Sequence, residues 1–118
     1  MDFFLIFTSC EQREEKLTPK DIAELSIICD NIVAKTKIDQ SDIAKISKED
    51  LGKIKRHIPV KDAYTKTNGI YLVCHSKLFG KETGYFYLNN NSEFKPELSI
   101  EPTYKKISDR LYLYTIHD

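Results

Sequence analysis

The chain holds 118 residues, its 18 basic and 18 acidic side chains cancel, and 41% of it is hydrophobic and 11% aromatic. At this length a single fold buries roughly 65% of the surface its extended chain exposes, enough for one core without disulfide staples or a structural metal. Four glycines, four prolines, no low-complexity stretch and no self-similar period exclude collagen-like, linker-like, disordered and repeat architectures.

The first segment, Phe3-Phe4-Leu5-Ile6-Phe7-Thr8-Ser9-Cys10, is apolar up to two small residues and a cysteine, and the polar run Glu11 to Lys16 follows. Thr8, Ser9 and Cys10 resemble the end of a bacterial lipoprotein signal peptide. That resemblance implies a start upstream of Met1, lipidation of Cys10 and a periplasm-facing lipoprotein with a polar tether. The residues alone leave another origin open, a buried strand over 3–8 in a chain that stays cytoplasmic as written. Elsewhere no apolar run approaches the roughly 20 residues that span a bilayer, so no transmembrane segment is expected. Cys10, Cys29 and Cys74 are odd in number and lack CxxC spacing, which predicts neither a disulfide framework nor a zinc knuckle. Cys29 and Cys74 are expected as small buried hydrophobes in a thiol-keeping compartment.

Thr18-Pro19-Lys20-Asp21 reads as a helix start, with Thr18 as cap, Pro19 in the first turn and Asp21 closing a capping box. Ile22, Leu25, Cys29 and Ile32 recur at steps of three and four, so an amphipathic helix is predicted over about 19–36. Ser41 before Asp42-Ile43-Ala44-Lys45-Ile46 predicts a short helical turn. Ser47 caps a further helix carrying Leu51, Ile54 and Ile58, which Pro59 ends near His57 or Ile58. Beyond Pro59 the period changes to two. Asn68-Gly69 signals a hairpin turn before a strand from Ile70 to Phe79; further strands are read at Tyr85 to Leu88, Tyr104 to Ile107 and Leu111 to Ile116. The expected architecture is α+β, one domain over 1–118 with N-terminal helices packed on a C-terminal antiparallel β-sheet of three to five strands. Residues 1–17 form the apolar segment and tether, 18–59 the helical half and 60–118 the sheet.

The glycines form no dinucleotide or phosphate loop, and His57, His75 and His117 have no zinc-protease spacing, so no catalytic, cofactor or metal residues are assigned. A metal-free hydrolase or nuclease would need His75 and His117 as acid and base beside a lysine such as Lys77. Strand alternation places Ile70, Leu72 and Cys74 on one side and His75 on the other, whereas His117 goes with Leu111 and Leu113, so the two histidines are expected on opposite faces. The same parity assigns Tyr71, Tyr85, Tyr87, Tyr112 and Tyr114 to one face, opposite Phe86 and Leu88. An apolar ring with a polar tip suits a partner-binding face, although a covering helix or the Asn89–Pro102 loop would instead make these rings structural.

Charge is segregated along the chain: residues 51–81 hold seven basic residues, Lys53 and Lys77 among them, against Asp62 alone. Such a field steers an acidic partner. The strands lack the RNP-type pattern of RNA-binding sheets, so nucleic acid is not an expected partner. A small binding protein is the resulting expectation: an immunity or inhibitor protein that occludes the active site of a cognate toxin, contacting it through the tyrosines with Lys53 and Lys77 steering. An envelope lipoprotein binding another ligand is the alternative, and the histidine-based hydrolase the third.

Overall fold

The Thr18 capping box forms on both sides: the Asp21 backbone N–H donates to Thr18 Oγ1 at 3.1 Å, while the Thr18 N–H and hydroxyl donate to the Asp21 carboxylate. It opens helix α1, Pro19–Lys35, in a computed structural model that describes residues 17–35, 44–76, 80–90 and 92–117. The expectations for the 3–8 strand, Cys10 and the tether, for Ser41 to Ile43, and for Lys77, Leu78 and Phe79 lie outside the described residues. Leu25, Cys29 and Ile32 are the buried stripe of α1.

Helix α2, Lys48–Lys55, is capped as read, with Asp50 N–H donating to Ser47 Oγ at 3.2 Å. Its last turn continues through His57 N–H and Ile58 N–H to Ile54 O and stops before Pro59. Ala44–Lys45 is a correction to the expected helical turn. It forms a two-residue strand, β1, because its backbone pairs with the strand that follows α2 (Ala44 with Thr65, Lys45 with Tyr64).

The remaining strands are β2 (Asp62–Lys66), β3 (Gly69–Ser76), β4 (Glu82–Leu88), β5 (Thr103–Lys106) and β6 (Leu111–Ile116). Their order is β1-β2-β3-β4-β6-β5 and every neighbouring pair is antiparallel. Five strands of four residues or more thus follow the helices in an α+β fold, with β1 added at one edge. The β2–β3 turn is Thr67–Asn68, one residue earlier than read, since Lys66 pairs with Gly69. Gly69 belongs to the strand for a steric reason: a Cβ there would lie 2.2 Å from Tyr87 O and 2.8 Å from the Phe86 ring.

Two cores result, one on each face of the sheet. Both helices pack on the first, where Leu25, Cys29, Ile32, Ile54 and Ile58 meet Ile70, Leu72, Tyr85, Tyr87, Leu111 and Leu113. The second is aromatic: Tyr71, Phe86, Tyr112 and Tyr114 are buried with Tyr64, Leu88, Phe94, Tyr104 and Ile116 packed around them. Phe94 and Glu97 reach this face from the loop between β4 and β5.

Candidate functional site

The register separates the five tyrosines that parity had placed together. Directly paired residues share a face. Tyr71 pairs with Phe86 and Phe86 with Tyr112, on the aromatic side; Tyr85 pairs with Leu72 and Leu113, and Tyr87 with Ile70 and Leu111, on the helical side. The sequence Tyr85-Phe86-Tyr87-Leu88 is bulky and apolar at both parities, so alternation alone could not orient β4. All five rings are also buried, at 0–2% exposure, so none offers surface to a partner. They are structural anchors, and the partner-binding face read for them is withdrawn.

The hydroxyls of Tyr71, Tyr87, Tyr112 and Tyr114, with those of Tyr64 and Tyr104, are tied within the molecule. Tyr114 and Tyr64 both donate to Glu82 Oε2, at 2.6 and 2.8 Å; Tyr112 donates to Glu97 Oε2 at 3.2 Å; Tyr71 and Tyr104 hydroxyls bond each other at 2.9 Å. On the helical side Tyr87 donates to Asp30 Oδ1 at 3.0 Å. The Arg110 guanidinium stacks on the Tyr87 ring, 4.5 Å from its centroid, and reaches Asp30 at 3.1 Å. Burial pushes the Tyr87 phenol up to about 12 and raises those of Tyr64, Tyr71, Tyr104, Tyr112 and Tyr114. At neutral pH all six are therefore protonated: Tyr64, Tyr87, Tyr112 and Tyr114 donate to carboxylates, and in the Tyr71–Tyr104 pair one hydroxyl donates to the other.

The histidines are redistributed by a bulge. β3 shifts register between Val73 and His75, so His75 pairs with Thr83, which pairs with Thr115. His75 therefore lies on the same side as Thr115, and the expected opposition of faces is overturned, because one extra residue inverts the alternation. Gly84 accommodates the bulge: a Cβ there would stand 2.0 Å from Leu72 O. His75 is exposed, and the His117 ring engages Glu101 Oε1 at 3.1 Å instead. The third histidine is the best connected. His57 Nδ1 lies 3.0 Å from Asp21 Oδ1 and Nε2 lies 3.3 Å from Glu24 Oε1, which ties the end of α2 to the start of α1.

Cys29 is a free, fully buried thiol whose pKa burial pushes up to about 12, so it is an unreactive core residue. Cys74 is partly buried and packs against the helical core. Among the described residues no group of three or more His, Cys, Asp or Glu is placed to hold a metal ion, and no helix is long and apolar enough to cross a membrane.

Two surface features stand out among the described residues. Lys45, Lys48, Lys53, Lys55, Arg56 and Lys61 are all exposed on β1, α2 and the approach to β2. Beside them a half-open groove of about 330 Å³ lies between α1 and α2, lined by Ile28, Asn31, Ala34, Lys35, Asp50 and Lys53. Lys35 Nζ is 2.9 Å and Lys53 Nζ 3.9 Å from the Asp50 carboxylate, whose pKa the Lys35 hydrogen bond lowers. Of the two lysines read as steering charges, Lys53 thus stands at the groove, and Lys77 lies outside the described residues. The second feature is the pair Leu98 and Ile100, 74% and 88% exposed on the loop into β5. Both escaped sequence reading because that loop has no periodicity to show which way an apolar side chain points. Compared with family models, with curated proteins and with solved structures, the chain matches none.

Proposed function

We propose that this chain is a binding protein that works by covering the surface of another protein, as a small bacterial immunity protein does with its cognate toxin. The observation that supports it most directly is the cluster of exposed cations on α2 and its flanks in a chain of zero net charge, set beside a groove with lysines at its rim. Long-range attraction brings an acidic surface to that side, and a carboxylate entering the groove meets Lys35 and Lys53 around Asp50. The toxin as partner rests on the bacterial character of the Thr8-Ser9-Cys10 segment. The test is surface plasmon resonance against the product of the neighbouring open reading frame, joined to relief of that product's growth arrest by co-expression. Binding that weakens with salt and falls at least tenfold for Lys53→Glu with Lys55→Glu supports the reading. Absence of both binding and relief overturns it.

A second reading, an envelope lipoprotein that binds another ligand, is favoured by the same three residues and the polar run after them. Expression with the native upstream region and mass spectrometry of the mature protein decide between the two. A diacylated Cys10 at the N-terminus supports it; a retained Met1 with Cys10 not lipidated removes it.

A further inference from the structure

The groove between α1 and α2 holds a charge that is not balanced from within. Asp50, its buried carboxylate, is shared by two lysines: Lys35 Nζ stands 2.9 Å from Oδ2 and Lys53 Nζ 3.9 Å from Oδ1. Two cations against one carboxylate leave one positive charge over. Their donors are not exhausted either. Lys35 gives one N–H to Asp50, Lys53 stands beyond hydrogen-bond length, and among the described residues neither pairs with another carboxylate. Both lysines face water as well, with side chains 60% and 47% exposed.

A single further carboxylate set between them would close a ring of alternating charge: Asp50, Lys35, the incoming carboxylate and Lys53. A phosphate group, carrying about two charges, overshoots that surplus. Beside the charges α1 presents a second stripe. Ile27, Asn31 and Ala34 follow at steps of four and three, all exposed, with Ile28 half-buried next to them. That spacing suits a helix rather than a strand, and the furrow between two helices accepts the ridge of a third.

We propose, resting on the reading that the α2 side meets another protein, that this groove seats an amphipathic helix of the partner, which sets one aspartate or glutamate between Lys35 and Lys53 and lays apolar residues of neighbouring turns on Ile27, Ile28 and Ala34. The probe is a synthetic helical peptide with one glutamate and a leucine one turn to either side, titrated at millimolar concentration into the full chain and followed by NMR. Saturable shifts at Asn31, Ala34, Lys35 and Lys53 are expected. The same peptide with glutamine in place of the glutamate should bind the unaltered protein at least fivefold more weakly. Lys53→Gln, which leaves Lys35 on Asp50, should weaken the glutamate peptide by a similar factor with thermal unfolding unchanged. Lys53→Glu should refuse the glutamate peptide and accept one carrying lysine at that position. Shifts confined to other surfaces, or equal binding of the glutamine peptide, overturn the proposal. Peptide binding at the groove without binding of the neighbouring gene product keeps the groove and removes the toxin. Toxin binding that neither the peptide nor Lys53→Gln affects keeps the toxin and removes the groove.

Discussion

The two faces of the sheet are both packed, but with different materials. The helical face is mostly aliphatic, and its tyrosine tip at Tyr87 is satisfied by Asp30 and Arg110 at the rim. The other is a mesh of rings, with Tyr71 4.7 Å from Phe86 and 5.0 Å from Tyr114 between centroids, and the hydroxyls of Tyr64, Tyr112 and Tyr114 donate to the carboxylates of Glu82 and Glu97. A helix supplies a ready-made apolar stripe, whereas a loop supplies few apolar side chains. Among the described residues no helix lies on the aromatic face, which is built from rings that cover much of their own area and carry a polar end.

If both faces are true cores, truncation on either should be costly, and this is the largest effect expected. Phe86→Ala should lose about 4 kcal/mol and Leu72→Ala about 3 kcal/mol in urea unfolding, by loss of transfer energy and the cavity left behind. A loss below about 1 kcal/mol at Phe86 alone would show the aromatic face to be a loose cover. Gly84→Ala tests the bulge that joins the two arrangements. Its Cβ would press on the Leu72 backbone, which cannot rotate away, so about 3 kcal/mol should be lost. An unchanged midpoint would mean that β3 and β4 separate at no cost.

Glu82→Ala should cost about 2 kcal/mol, because the hydroxyls of Tyr64 and Tyr114 are left without their acceptor in a half-buried site. Double-mutant cycles with Tyr114→Phe would show coupling, while the same cycle with Tyr87→Phe, on the opposite face, should show none.

The pH responses of the two regions differ in kind. Burial raises the tyrosine phenols, so their contribution is complete below the unfolded value near pH 10 and is lost as pH rises through the folded values, about 12 for Tyr87. Phenolate absorbance should therefore appear together with loss of circular dichroism rather than before it. The smallest effect lies at the surface of the helices. The His57 hydrogen bond lowers the Asp21 carboxyl, so that contribution is present above the ordinary aspartate value and disappears as pH falls through the lowered one. Asp21→Asn should flatten the acid limb of melting temperature against pH, and an unaltered limb would show that the Asp21–His57 contact is energetically silent.

Local signals were legible because they act over three or four residues. The caps at Thr18 and Ser47, the buried stripe of α1, the stop at Pro59 and the change to period two are each settled by bonds or clashes within a turn, and helices before an antiparallel sheet follow from them. Ala44–Lys45 escaped because a two-residue strand exists only through its pairing with β2. The orientation of Tyr85, Tyr87 and His75 was likewise beyond the sequence. Alternation defines two sides of a strand, but which side meets the helices depends on the register with its neighbours, and the bulge after Val73 reverses that choice within β3. Exposure of Leu98 and Ile100 was decided later still, because it depends on where the loop into β5 comes to lie on the finished sheet.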